Sequence, residues 1–203
     1  DDGYSEQVTG TDASRFDEAL DMVDDDINSI VLHNLKFRGV HELWILNGGV
    51  PCNAVIDSSM KDQGLLKVIF RGVDCTGLNS RAGLVTLQLP YDRETNRVIP
   101  WSEAGSTLTV TFYNFMITRL ADHRTITFHG SRMVTNVSGG MVDNADNLAK
   151  AVIHRTTGMM KVSFDNSTWN IDRSQTITRD AKITKVVITG NATVNNYSNV
   201  SVW

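Results

Sequence analysis

The chain has 203 residues, 41% of them apolar and 21% charged, with a formal net charge of −4 and two cysteines. This is the composition of an ordinary folded domain, long enough for one large β unit. No apolar run approaches the roughly 18 residues a spanning helix needs, and the uneven charge leaves no basic stripe for nucleic acid.

The charge is concentrated at the start. Residues 1–30 carry ten carboxylates against Arg15 alone, a net of −9, whereas residues 31–203 carry a net of +5. The chain opens on Asp1-Asp2-Gly3, as a processed or trimmed product would. Residues 1–11 are polar, contain Gly3 and Gly10, and are expected to form a mobile leader. Over 12–30, Phe16, Ala19, Leu20, Val23, Ile27 and Ile30 recur at helical spacing, and the carboxylates fall on other faces. Asp12 or Ser14 suits the N-cap, and early carboxylates suit the helix dipole. The triplet Asp24-Asp25-Asp26 reads as a solvated face. Consecutive helical residues point about 100° apart and do not converge on a calcium ion.

From residue 31 to 203 the pattern predicts a single β domain. Val31-Leu32 and Leu43-Trp44-Ile45-Leu46 are apolar without a clear period, and Asn47-Gly48-Gly49 marks a turn. Strands follow. Leu66, Val68 and Phe70 share one face, as do Val85, Leu87 and Leu89, and then Leu108, Val110 and Phe112 with Thr107, Thr109 and Thr111 opposite. One apolar and one threonine-rich face describes an antiparallel sheet wet on one side. Residues from Pro90 to Trp101 read as a polar hairpin connection. The expected fold is mainly β, an antiparallel β-sandwich or a long curved β-meander, carrying an N-terminal amphipathic α-helix. Thr109-Val-Thr-Phe112-Tyr-Asn114 echoes Lys161-Val-Ser-Phe164-Asp-Asn166, and Ile126-Thr-Phe-His-Gly130 echoes Val187-Ile-Thr-Gly190. Two related β units, about 105–136 and 158–196, would account for this; so would chance in any Thr-rich β protein. Ser201-Val-Trp203 still reads as strand.

Catalytic constellations are not evident. His33, His41, His123, His129 and His154 lie far apart and form no HExxH-like spacing. Glu103 and Asp122 would be one of many possible carboxylate pairs for glycoside hydrolysis among 23 acidic residues. Asp143-Asn-Ala-Asp146-Asn147 is rich in oxygen but lacks the alternating ligand spacing of a calcium loop. No cofactor and no metal is expected, and an enzyme is not. Trp101, Tyr113 and Trp169, with Trp44, are large flat rings; exposed, they would serve as stacking platforms for a glycan, and otherwise they close the ends of a β core. Cys52 and Cys75 lie 23 apart at predicted strand edges, forming a disulfide in a secreted chain or two buried thiols in a reducing compartment.

The ordered string Cys52, Asp74-Cys75, Arg81-Ala-Gly83, Leu108-Thr-Val-Thr-Phe112-Tyr-Asn114, Gly130 and Val134-Thr-Asn136, preceded by an acidic helix, resembles a family of Bacteroidota secreted and outer-membrane lipoproteins. The likeness spans roughly residues 12–170 and consists of turn glycines, strand threonines and a cysteine pair. It implies export, an oxidised Cys52–Cys75 pair, and a lipid anchor upstream of Asp1 as the sole membrane attachment. The acylated cysteine itself is not in this sequence. The expected role is a non-enzymatic accessory or structural subunit of an envelope assembly at the outer membrane or cell surface, binding envelope protein partners. The alternative is a glycan-binding module using Trp101, Tyr113 and Trp169.

Overall fold

The structure, a computed structural model, describes residues 3–33, 50–140, 152–164, 168–180, 185–196 and 200–202. It comprises helix α1 (Gly3–His33) and strands β1 (Ala54–Asp57), β2 (Leu65–Val73), β3 (Asn79–Gln88), β4 (Tyr91–Asp92), β5 (Arg97–Val98), β6 (Thr107–Arg119), β7 (Thr125–Asn136), β8 (Val152–Phe164), β9 (Thr168–Asp180), β10 (Lys185–Asn196) and β11 (Val200–Val202). Nine strands form one antiparallel sheet in the order β1-β2-β3-β6-β7-β8-β9-β10-β11, and β4 and β5 make a separate hairpin. Every neighbour in the main sheet is a neighbour in sequence, apart from the β4–β5 excursion. The chain is therefore a meander with a helix laid on it. Among the described residues, no helix is long and apolar enough to cross a membrane.

Alternation carries the strands. Leu66, Val68 and Phe70 on β2, Val85 and Leu87 on β3, and Leu108, Val110 and Phe112 on β6 all face the helix and are buried. Ile126 and Phe128 on β7 and Met160, Val162 and Phe164 on β8 continue that face. The helix supplies Phe16, Ala19, Leu20, Val23, Ile27, Ile30 and Val31, the stripe its spacing predicts. Burying side chains of this kind contributes about 1.5–3 kcal/mol each before chain entropy is counted.

The core is centred on Phe112, Phe115 and Phe128, whose ring centroids lie 5.8–6.3 Å apart, with Phe70 4.9 Å from Phe115 and Phe16 6.2 Å from Phe128. Phe112 and Phe115 are three apart, so plain alternation would put them on opposite faces. A β-bulge solves this: Phe112 pairs with Gly130 and Phe115 with Phe128, leaving Tyr113 and Asn114 opposite His129 alone. Asn114 takes φ of 50° there. Gly83 on β3 lies against the bulge at φ 120°, where a Cβ would meet the Asn114 carbonyl oxygen at 2.7 Å and the Phe115 Cα at 2.8 Å. Only glycine fits that approach.

Three features depart from expectation. The helix begins at Gly3, so the segment read as a mobile leader from residue 3 onward is helical; propagating an existing helix adds one hydrogen bond per residue. Asp1 and Asp2 lie outside the described residues, as do residues 34–49 with Trp44, and the Asp143–Asn147 segment. The echoed segments are not equivalent units, because β6 and β7 are paired neighbours whereas β9 stands between β8 and β10. The acidic triplet is not simply solvated: Asp24 and Asp26 grip buried arginines, and Asp25 alone is exposed.

Candidate interaction surface

The sheet has a closed face under the helix and an open face behind it. On the closed face two arginines sit among the phenylalanines. Arg81 is 2% exposed and Arg132 3%. Such cations are tolerated only when paired. Arg81 Nη1 donates to Asp26 Oδ2 and Nη2 to the Cys52 carbonyl at 3.2 Å, and its guanidinium lies 4.9 Å from the Phe70 centroid. Arg132 Nη2 donates to Asp24 Oδ1, with the guanidinium 5.8 Å from the Phe112 centroid. The helix is thus pinned to β3 and β7 by two ion pairs from one turn. Burial pushes the Asp26 carboxyl up to about 6, outweighing the pull of Arg81, and Asp25 and Asp74 push the same way.

Beside this clasp lies the disulfide. Cys52 and Cys75 are joined, with their Cα atoms 5.1 Å apart, and the Cys52 N–H donates to Cys75 Sγ at 3.2 Å. The neighbouring Asp74 is buried and holds the β2–β3 turn. Its Oδ1 accepts from Thr76 Oγ1 at 2.7 Å and the Leu78 N–H at 3.2 Å, and its Oδ2 from Asn79 Nδ2 at 2.9 Å. Burial pushes this carboxyl up, but the hydrogen bonds from Asn79, Thr76 and Leu78 win and hold it below its ordinary value.

The aromatic residues expected to bind a glycan are not gathered. Trp101 is 5% exposed, its ring 5.1 Å from that of His154, and its carbonyl accepts from Asn136 Nδ2 at 2.8 Å. It is part of the core cluster and packs against His154 of β8, so its faces are not offered as a platform. A polar turn follows it and folds back onto β7: Gly105 N–H donates to the Asn136 carbonyl and Asn136 N–H to the Ser106 carbonyl. Tyr113 is exposed at the bulge. Trp169 lies in β9 opposite Val162, and its side chain falls outside the described residues. Glu103 reaches Arg97 at 3.6 Å, and Asp122 is gripped by Arg119, with Nε to Oδ1 at 3.0 Å, which holds its carboxyl well below the usual range. Each carboxylate is committed to a surface arginine on the strand that precedes it. Among the described residues, no group of three or more His, Cys, Asp or Glu side chains converges on a metal position.

Clefts at the helix–sheet seam are small. One of about 30 Å³ opens between Arg15, Glu18, Ala19 and Met22 of α1 and Ile117, Arg119, Arg124 and Ile126 of the β6–β7 hairpin. A second, of about 10 Å³, is an apolar packing gap under Val23, Ile27 and Ile30.

The open face is the larger feature. Alternation places Thr107, Thr109 and Thr111 of β6 and Thr127, Ser131 and Thr135 of β7 there, with Thr107 and Thr135 sharing a hydroxyl hydrogen bond at 2.9 Å across the strands. Large apolar groups stand among these hydroxyls. Met159 is 74% exposed, Tyr113 and Met133 47% each, and Met116 39%. Met159 pairs with Ser131 and Met133 with Thr157 and Thr109, so the two methionines are close neighbours on one surface. Flexible thioethers at exposed positions are suited to irregular protein partners. Met133 shares strand parity with Thr127, Ser131 and Thr135, and Met159 with Thr157, so the sequence carried a signal for these two; Met116 has the parity of Leu108, Val110 and Phe112 and reaches this face only through the bulge.

Comparison of the chain with protein-family models, with curated proteins and with solved structures gives no match.

Proposed function

We propose that this protein is a non-enzymatic binding subunit of an envelope assembly, docking a protein partner on the open face of its sheet. In this reading a lipid anchor upstream of Asp1 holds it at the outer membrane or cell surface, as in the lipoproteins it resembles. The observation that carries the proposal is the exposure of Met159, Met133 and Tyr113 on a face that no described element covers. The disulfide agrees with an oxidising compartment.

The test compares tagged wild type with a Met133→Glu/Met159→Glu variant recovered from detergent-solubilised native membranes. Both substitutions are at solvent-exposed positions, so the unfolding midpoint should be unchanged. A partner recovered stoichiometrically with wild type and lost from the variant is the expected result. Recovery of wild type only as a free monomer refutes the subunit reading.

Tyr113, exposed beside the threonine rows, keeps a glycan-binding alternative open. A glycan array on which Tyr113→Ala loses a signal given by wild type would favour it, and no wild-type signal would remove it.

A further inference from the structure

We infer that the turn end of the sheet is a membrane-contact site, in which the arginine-lined cleft of the helix–sheet seam receives the phosphate of a zwitterionic phospholipid and Leu78 and Leu120 enter the acyl layer. The site lies apart from the open face and goes beyond the protein-docking reading of it.

The apolar half comes from two neighbouring turns. Leu78 lies in the turn between β2 and β3, and Leu120 follows β6 in its hairpin with β7. They are 65% and 37% exposed. The Leu120 N–H donates to the Leu78 carbonyl at 2.9 Å, so the two turns touch and bring both leucines to one end of the sheet. Each turn is braced. Asp74 accepts from Thr76, Leu78 and Asn79 in the first. In the second, Asp122 Oδ1 accepts from the Arg124 N–H at 3.3 Å, and the Arg119 N–H donates to the Arg124 carbonyl at 2.9 Å. Aliphatic side chains held at turn tips present no groove to a protein side chain, and a fluid acyl layer requires none.

The polar half is the cleft beside them. Leu78 and Leu120 adjoin Asn79 and Arg119, which are partners across β3 and β6 and both line the cleft. Arg15 of α1 and Arg124 complete an arginine wall, over a floor that includes Ile117 and Ile126. At about 30 Å³ the cleft has room for about two water-sized groups, which suits the two non-bridging oxygens of a phosphodiester. Arg119 is bound to Asp122, whereas Arg124 Nε lies 3.9 Å from that carboxylate, outside hydrogen-bond range, on a side chain that is half exposed. The cleft is not purely basic, because Glu18 lines it too and is exposed. Asp165, between β8 and β9 in sequence, lies outside the described residues, and one more carboxylate leaves this mixed sign intact. Cations and a carboxylate side by side match a head group that carries both a phosphate and an ammonium, and the adjoining leucines match the chains attached to it. A single acyl anchor gives reversible membrane binding, and stable attachment takes a second contact. This end supplies that contact to an anchored chain, and it binds lipid in the absence of the anchor as well.

The experiment floats the 203-residue chain, carrying no acyl group, with vesicles of phosphatidylethanolamine and phosphatidylcholine in a density gradient. Wild type should rise with the vesicles. Leu78→Glu/Leu120→Glu should lower the partition coefficient at least about tenfold and Arg124→Ala at least about threefold, with the melting temperature unchanged because all three side chains are exposed. Val55→Glu/Met60→Glu, an equal charge change at exposed apolar sites away from this end, should leave flotation nearly unchanged. No flotation of wild type, or equal loss in both Glu double variants, overturns the inference. Phosphoethanolamine in free solution, bound as tightly as the vesicles and without regard to Leu78 and Leu120, replaces the membrane by a soluble phosphate ligand. Flotation only with phosphatidylglycerol vesicles, abolished by high salt, reduces the site to surface charge and overturns the head-group match. All of these outcomes are read on lipid alone, so the protein partner of the open face, scored by recovery from native membranes, stands or falls separately.

Discussion

Replacing Arg81 by methionine keeps much of the side-chain volume and removes the guanidinium. Three interactions go with it: the ion pair to Asp26, the hydrogen bond to the Cys52 carbonyl and the contact over Phe70. Removing one partner of a buried ion pair commonly costs about 3–5 kcal/mol, because the other charge is stranded. Asp26 has an escape. Its carboxyl already sits near 6, so without Arg81 it binds a proton close to neutral pH and sheds its charge. We therefore expect Arg81→Met to lose about 2–3 kcal/mol at pH 7 and less at pH 5. Asp26→Leu has no such escape, since Arg81 stays charged, and should lose about 3–5 kcal/mol at either pH. The double variant, with two apolar groups facing each other, should return to within about 1 kcal/mol of wild type. Urea unfolding followed by circular dichroism at both pH values closes the cycle. Losses that simply add in the double variant would mean that the helix and β3 are not joined through this pair.

Two further outcomes follow from the same interface. The folded pKa of Asp26 lies above its unfolded value, so the stability it contributes is fully present below about 4 and is lost as pH rises through 6. The shift from 3.8 to about 6 is worth about 3 kcal/mol at full strength and about 1–2 after solvent screening, and somewhat under half of that, about 0.5–1 kcal/mol, should be gained between pH 7 and 5. Asp74 and Asp57 titrate the other way: their folded values are depressed, their contribution is present above about 4, and it is lost as pH falls further. Urea midpoints across pH 3–8 should peak near 5, and Asp26→Asn should flatten the upper limb; an unchanged limb in that variant contradicts the assignment. Removing the disulfide with Cys52→Ala/Cys75→Ala should cost about 3 kcal/mol from the entropy of a loop spanning 23 residues, read as a lower melting temperature. A loss under about 1 kcal/mol would show that β1 and the β2–β3 turn hold their places without it.

The helix stripe and the strand faces were legible because period 3.6 and period 2 are direct consequences of backbone geometry. Phe16, Val23 and Ile27, and Leu66, Val68 and Phe70, fall where those periods put them. The bulge was not legible, since a two-residue interruption between Phe112 and Phe115 looks like a break in alternation until Gly83 is seen beneath it. Arg132 shares parity with Ile126 and Phe128, which is the mark of a buried cation, but naming its partner required knowing that α1 crosses β7. Trp101 was left between two readings, a stacking platform or the closure of a core end, for a related reason. Local polarity describes a turn, and burial depends on which distant strand the turn folds against.

The two clasp pairs also set an order of events during synthesis. Arg81 follows Asp26 by 55 residues and Arg132 follows Asp24 by 108. At about 5–20 residues per second, α1 waits about 3–11 s for its first anchor and about as long again for its second. Through that interval Leu20, Val23 and Ile27 have no complete sheet to cover, while each hairpin of the meander can close on its own as it emerges. The helix is made first and seated last, leaving a window in which a chaperone that recognises an apolar helical stripe would find its substrate.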